Sequence, residues 1–388
     1  MGNIIRNIGE LPARLQRAAE AFRQPVQQSQ VRPPIDLTGD RVIAANAANL
    51  VAVRDKVIQV LNGEIPMPSV AELFITNYCD FACPHCRCAE YHGDNTQFLN
   101  YGTMDRFLKE LAEKSVMKIE LGGGGEPLMH PQIGDSFDRF AEYGFGVGMI
   151  TNGYRFTAQP ELAEKFMGFG DWIRFSLDGV TDDVFQKVHG RKNISYGALK
   201  ETITWMASRS REKTGVDQRP KVGMKLIIEE PNKGQIMQSV DEALEMRVNY
   251  LQFKFLEGHP WALTEGRDEL VQAIQARAAE ISPKEMYIDI LPGYGGARKL
   301  EKCVMSILHP LIDWDGTIYM CAFFNHRKDT HSIGNLEDGG FFAHWGTDLH
   351  RQRIKDVDMM KCVPNCPMLR YNPVIEFVAD ENFRMEYI

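Results

Sequence analysis

From Glu72 onward, short apolar runs alternate with amphipathic segments, and this alternation limits the chain to a small set of folds. The runs Glu72–Thr76, Met117–Leu121, Gly146–Thr151, Trp172–Leu177, Lys221–Ile228 and Asn249–Phe255 read as strands. Between them, Met104–Lys114, Gln132–Tyr143, Pro160–Met167, Tyr196–Ser208 and Lys233–Met246 carry helical periodicity. Strands and helices in strict alternation build a parallel sheet covered by helices, either open or rolled into a partial barrel. A further helix is expected around Leu270–Ile281.

The ends of the chain read differently. Leu11, Leu15, Ala18, Ala19 and Phe22 recur at helical spacing before Pro25 and Pro33-Pro34 interrupt, and a second amphipathic stretch runs from Val42 to Leu61. Residues 1–70 are thus expected to form a helical extension, and residues 71–285 the α/β body. From about Leu291 the chain is rich in Gly, Pro, aromatics and Cys, with a hairpin expected over Ile312–Met320 that turns at Asp315-Gly316. Residues 286–388 therefore read as a separate small module, stapled by something other than a large apolar core.

Charge narrows the partners. The formal net charge is −8 and no Lys/Arg block stands out, so binding to a nucleic-acid backbone is not expected. Neither a secretory leader nor a run of membrane-spanning length is evident, and a cytoplasmic protein is the simplest expectation.

The eight cysteines fall in two groups: Cys79, Cys83, Cys86 and Cys88, then Cys303, Cys321, Cys362 and Cys366. Disulfides on this scale belong mainly to small secreted domains, so clustered thiols here point to metal. The first group follows directly on the first strand, where α/β barrels place their chemistry. Three thiolates at the spacing of Cys79-x-x-x-Cys83-x-x-Cys86 leave one iron of a [4Fe–4S] cluster open, whereas zinc favours four ligands and other spacings. Cys88 would close that open iron, and reads as a free cysteine.

This CxxxCxxC loop after a first strand resembles the radical S-adenosylmethionine (SAM) superfamily. Gly124-Gly125-Glu126-Pro127 after the second strand resembles the family's glycine–glutamate motif, Thr151-Asn152-Gly153 ends the third strand, and Ser176-Leu177-Asp178-Gly179 ends the fourth. The resemblance spans roughly residues 70–260. It implies a partial (β/α)6 TIM-like barrel, with Cys79, Cys83 and Cys86 on a [4Fe–4S] cluster. It also implies bound S-adenosyl-L-methionine, cleaved by one electron to a 5′-deoxyadenosyl radical. Gly124, Gly125 and Glu126 are then expected to hold the methionine ammonium, with further cofactor contacts from Thr151, Asn152, Ser176 and Asp178. His85, where the family often has an aromatic, is expected to stack near adenine, and Arg191 to meet a carboxylate. A flavodoxin- or ferredoxin-type protein is the implied electron donor.

Strand parity selects the side chains that face the lumen. The apolar set of each strand must pack on helices, leaving Lys118 and Glu120, then Arg174, Ser176 and Asp178, then Lys225, then Gln252 and Lys254 inward. Glu120, Lys225, Gln252 and Lys254 are candidates for contacting substrate, with Lys225 or Lys254 a possible proton-abstracting base.

The segment Ile312–Cys321 resembles the hairpin that opens the SPASM and twitch auxiliary-cluster domains. With Cys303, Cys321, Cys362 and Cys366 it implies a shorter twitch-like module holding a second [4Fe–4S] cluster; a zinc site on the same thiolates is the competing reading. A fully ligated second cluster suits electron transfer, and hence net two-electron oxidation. The resulting expectation is dehydrogenation of a small polyol, sugar or aminocyclitol, similar to the aminocyclitol dehydrogenases. Peptide modification and redox-neutral sugar chemistry stand as alternatives.

Overall fold

The structure, a computed structural model, describes residues 53–92, 95–213, 219–291, 303–321 and 328–358, together with 362, 368, 371 and 375. The expected helices before residue 53 and Cys366 lie outside the described residues. Helix α1 (Arg54–Leu61) ends at Asn62 and Gly63, the latter at φ +81°, where the sequence places its stop.

Seven parallel strands follow in order: β1 (Ala71–Leu73), β2 (Lys118–Leu121), β3 (Gly146–Thr151), β4 (Trp172–Ser176), β5 (Lys221–Ile228), β6 (Tyr250–Phe255) and β7 (Tyr287–Leu291). Each pairs in parallel with the next. Connecting helices are α2 (Tyr101–Glu113), α3 (Ile133–Glu142), α4 (Pro160–Phe169), α5 (Asp182–Val188), α6 (Tyr196–Glu212), α7 (Ile236–Glu245) and α8 (Arg267–Glu280). The six expected strands and their helices are present within a few residues of their sequence bounds. Strand β1 is shorter than expected, because Phe74–Thr76 turns away to build the loop that carries the cysteines. The seventh strand, short and split by Asp289, lacks the long apolar run that marks the others.

The C-terminal hairpin is not separate from this sheet. Strand β8 (Leu311–Ile312) pairs in parallel with β1, then β9 (Thr317–Tyr319) and β10 (Ser332–Asn335) follow antiparallel. One ten-stranded sheet results, ordered β10-β9-β8-β1-β2-β3-β4-β5-β6-β7. Ile312, Ile318, Ile333, Phe341 and Trp345 join the apolar core of the barrel itself. The C-terminal hairpin thus shares the barrel's core: short strands hide a distant pairing partner from sequence, since β8 adds to the free edge of β1 as well as to its hairpin partner β9.

Parity places the side chains as burial requires. The outward set Val222, Met224, Leu226 and Ile228 on β5 is fully buried under helices, as are Leu251 and Phe253 on β6. Inward residues Arg174, Ser176, Lys225, Gln252 and Lys254 are only half-buried, so the lumen keeps access to solvent. Its floor is closed by two rings over glycines. A Cβ on Gly148 would lie 2.0 Å from the Trp172 ring, and one on Gly223 would lie 2.2 Å from Tyr250. The glycines make room, and Tyr250 then hydrogen-bonds the Ile173 carbonyl at 3.1 Å. Lys118, expected in the lumen, is an exception: it starts β2 at the opposite end, exposed and paired with Asp171. Among the described residues no helix is long and apolar enough to cross a membrane.

Candidate active site

The loops after β1 to β5 gather at the C-terminal ends of the strands, and the cysteine loop is the best secured of them. Cys79, Cys83 and Cys86 are half-buried free thiols. Burial pushes Cys79 up to about 12 and Cys83 also upward, and each is raised further by the charge of the other cysteines. Cys86 goes the other way, drawn down to about 6 by hydrogen bonding from Cys88, and a polycationic iron cluster would remove the penalty that burial sets on the other two.

The glycine loop is strapped to the root of the cysteine loop. Gly125 N–H donates to the Thr76 carbonyl and Glu126 N–H to that of Tyr78, both at 2.8 Å. A Cβ on Gly125 would lie 2.1 Å from the Tyr78 carbonyl oxygen, and one on Gly124 would lie 2.1 Å from the Trp314 ring at the β8–β9 turn. Here the glycines are needed for close approach, not for a left-handed turn. His92 Nε2 sits 2.7 Å from the Gly124 carbonyl. Cys88 Sγ donates to the Gly123 carbonyl at 3.5 Å while its N–H donates to Cys86 Sγ at 3.4 Å.

Glu126 is met by donors of its own loop and of the end of β3. Its carboxylate accepts from Leu128 N–H at 3.0 Å, Asn152 N–H at 2.7 Å and the Thr151 hydroxyl at 2.5 Å. Burial pushes its pKa up to about 7 against the pull of these donors. Glu126, Thr151 and Asn152 are therefore brought together, but to lock the β2 loop onto the end of β3.

His85 and Arg191 are also placed differently. His85 lies between two buried carboxylates, 3.5 Å from Asp178 and 3.1 Å from Glu229 at the end of β5. Burial alone would strip its proton, yet the two carboxylates hold it up at about 10. An imidazolium clamped in this way is a linker between β4 and β5 rather than a free stacking surface. Burial would likewise raise Asp178, but His85 and the Ile227 N–H hold it below the usual carboxylate range. Arg191 does meet a carboxylate, but one in the cysteine loop: it pairs with Asp80, which also accepts from Asn152 at 2.8 Å. Ser176 ends β4 half-buried, opposite Lys225 on β5.

Sequence reading missed Asp80, His189, Glu229 and Glu72. His189 lies 3.2 Å from Cys83 Sγ through Nδ1, while Nε2 contacts the Leu177 carbonyl at 2.9 Å. No local pattern distinguishes it from any histidine ending a helix. Glu72 is visible as a charge inside the first apolar strand, and it faces His309 at 3.4 Å. In the C-terminal region Cys321 and Cys362 are buried against one another with Cys303 packed beside them. Three of the four late cysteines are thereby brought together.

Comparison with known proteins agrees with this architecture. The sequence pattern of the radical SAM superfamily matches residues 73–217. A tungsten-containing aldehyde ferredoxin oxidoreductase cofactor-modifying protein of Pyrococcus furiosus is 31% identical over 301 residues, covering 72% of this chain and 81% of that one. A GTP 3′,8-cyclase of Staphylococcus aureus is 30% identical over 145 residues, covering 35% of this chain and 41% of its own. Among solved folds, Streptococcus suis SuiB bound to S-adenosylmethionine superposes with TM-score 0.61 at 14% identity, covering 83% and 76% of the two chains. Native anSMEcpe with bound AdoMet gives 0.51 at 14%, covering 77% and 88%. The chain belongs to the radical SAM superfamily, whose members use a [4Fe–4S] cluster and S-adenosylmethionine.

Proposed function

We propose that this radical SAM enzyme oxidises a small polyol, sugar or aminocyclitol by two electrons, with Cys79, Cys83 and Cys86 holding the catalytic cluster. When bound, the cluster and S-adenosylmethionine supply the radical that takes a hydrogen atom from substrate. Cys303, Cys321, Cys362 and Cys366 are proposed to hold a second cluster, a sink for the surplus electron, and a flavodoxin- or ferredoxin-type protein to deliver the first one. The observation that carries the small-molecule reading is the lumen. It is floored by Trp172 and Tyr250, walled by Glu120, Arg174, Lys225, Gln252 and Lys254, and half-open to solvent, which suits a compact substrate rich in hydroxyl groups.

Lys225 is the base this reading favours. Burial, then the charges of Arg174 and Lys254, pull it down to about 7, so a neutral amine is available near neutral pH to accept the hydroxyl proton. The description of the Pyrococcus relative, a cofactor-modifying protein, supports a wider small-molecule class that includes a cofactor. Solved complexes of SuiB with precursor peptide SuiA and of anSMEcpe with the Cp18Cys peptide make a peptide the competing outcome.

Anaerobic reconstitution tests the cluster assignment. Wild type is expected to hold about eight irons, and the Cys79/Cys83/Cys86 triple alanine variant about four with no deoxyadenosine formed. A wild-type value near four irons, with zinc present, sinks the second cluster. Deoxyadenosine formed only with a peptide, and never with a sugar, cyclitol or cofactor precursor, sinks the small-molecule reading.

A further inference from the structure

Gly122 to Gly125 run in succession after β2, and glycine backbone costs more to order than any other, so neighbours must fix the shape of this loop. From the β1 side the main chain does so. Gly122 N–H donates to the Leu73 carbonyl at 3.1 Å, and Gly125 and Glu126 donate to those of Thr76 and Tyr78. The carbonyls of Gly123 and Gly124 are met instead by side chains, and both belong to the tail of the cysteine loop. His92 Nε2 lies 2.7 Å from the Gly124 carbonyl, and since a carbonyl only accepts, that nitrogen carries the hydrogen. Cys88 Sγ donates to the Gly123 carbonyl at 3.5 Å, the longer of the two bonds.

The segment that supplies both donors is tied at each end. It winds through one 3₁₀ turn, Ala89–Tyr91, with Tyr91 N–H on the Cys88 carbonyl at 2.9 Å and His92 N–H on the Ala89 carbonyl at 3.2 Å. Its near end is fixed to the cysteine loop. There Cys88 N–H donates to Cys86 Sγ at 3.4 Å, and Ala89 N–H to the Cys86 carbonyl at 3.3 Å. Its far end is backed by the β8–β9 hairpin: the Tyr91 ring packs on Trp314 with centroids 5.3 Å apart, and Trp314 in turn covers Gly124. One turn of chain therefore joins the third proposed cluster ligand to the glycine loop.

We infer that His92, with Cys88 in support, is a positioning residue for S-adenosylmethionine, holding the Gly124 carbonyl in place for the methionine amino group. This rests on the reading above that the cysteine loop carries the catalytic cluster, and on the glycine loop meeting the methionine end of the cofactor. A carbonyl oxygen has two lone pairs, so His92 takes one and leaves the other for an N–H of the cofactor. The first bond polarises the carbonyl and strengthens the second. It also orders the glycines in advance, so that binding no longer carries their ordering cost.

Two ligands separate this role from a general one: S-adenosylmethionine, and 5′-methylthioadenosine, which lacks the methionine amino and carboxylate groups. Each is titrated anaerobically into reconstituted holoenzyme with the cluster oxidised, so that nothing is cleaved, and binding is followed by equilibrium dialysis. His92→Ala is expected to weaken S-adenosylmethionine roughly threefold to tenfold, the worth of one hydrogen bond, and to leave methylthioadenosine within about twofold of wild type. His92→Gln, whose amide N–H can take the place of Nε2, should recover most of the loss. Cys88→Ala should show a smaller loss in the same direction, recovered by Cys88→Ser. Iron content is expected to stay at the wild-type level. If His92→Ala loads poorly, His92→Phe, which fills the space without a donor, carries the test. Unchanged S-adenosylmethionine affinity overturns the inference, and so does an equal loss for both ligands, or a His92→Gln as weak as His92→Ala. Wild-type holoenzyme that binds no S-adenosylmethionine overturns the cofactor placement as well, whereas wild-type binding matched by the His92 variants fails the inference alone.

Discussion

Gly125→Ala is expected to remove S-adenosylmethionine cleavage by at least about a hundredfold, the loss that an ångström-scale displacement of a reactive centre brings. The added methyl has no exit: its nearest neighbours are the carbonyl oxygen, carbonyl carbon and nitrogen of Tyr78, all backbone and all within 2.6 Å. Relief requires the glycine loop to part from Thr76 and Tyr78, the segment that leads directly into Cys79. Gly124→Ala meets a side chain instead, with Trp314 Cζ3 at 2.1 Å and Cε3 at 2.6 Å. A ring can move where backbone cannot, so Gly124→Ala should be the milder change, and Trp314→Ala should partly rescue it. The double-mutant cycle on deoxyadenosine yield, with iron content and circular dichroism as controls, measures that coupling. A Gly124→Ala defect that Trp314→Ala leaves unchanged removes the proposed contact from the mechanism.

Much of the frame was legible before any coordinates because its signals are periodic. Val222, Met224, Leu226 and Ile228 alternate with polar residues, and the structure buries that set and leaves Lys225 in the lumen. The cysteine loop was legible from spacing, and the motifs after β2, β3 and β4 from their order. What stayed hidden is pairing across long separations. Nothing local says that Arg191 turns to Asp80, that His85 spans Asp178 and Glu229, or that Trp314 covers a glycine in the loop after β2. The side chains of Glu126, His85 and Arg191 tie the loops at the ends of the strands to one another. The pairing of the β8 hairpin with β1 is hidden for the same reason: two residues of strand carry no mark of the neighbour they join.

The three residues His189-Gly190-Arg191 are expected to control how firmly the catalytic cluster is retained. Each grips the cysteine loop at a different point. Ala82 N–H donates to the His189 carbonyl at 3.0 Å, and the His189 ring packs on Phe81 with centroids 4.8 Å apart. Gly190 has φ +59°, and a Cβ there would lie 2.1 Å from the Ala82 carbonyl oxygen. Arg191 donates to the Asp80 carbonyl at 3.1 Å, pairs with its carboxylate, and lies 5.6 Å from the Phe81 ring centroid. Together they fix Asp80 to Cys83, the span between the first two proposed cluster ligands. Gly190→Ala adds a left-handed strain of about 1–2 kcal/mol to a backbone collision, so the loop must move. Iron and sulfide content per chain should then fall toward that of the Cys79/Cys83/Cys86 triple alanine variant. Arg191→Ala should be gentler, since its guanidinium is partly exposed and Asn152 still holds Asp80. Its expected effect is a several-fold faster loss of iron to a chelator, with near-normal initial loading, and Arg191→Lys should recover only part because the carbonyl and ring contacts need the planar guanidinium. The electron paramagnetic resonance signal that shifts on adding S-adenosylmethionine reports this cluster separately from any second one. Wild-type iron retention in both Gly190→Ala and Arg191→Ala, with that signal unchanged, shows that the cysteines hold the cluster without this clamp.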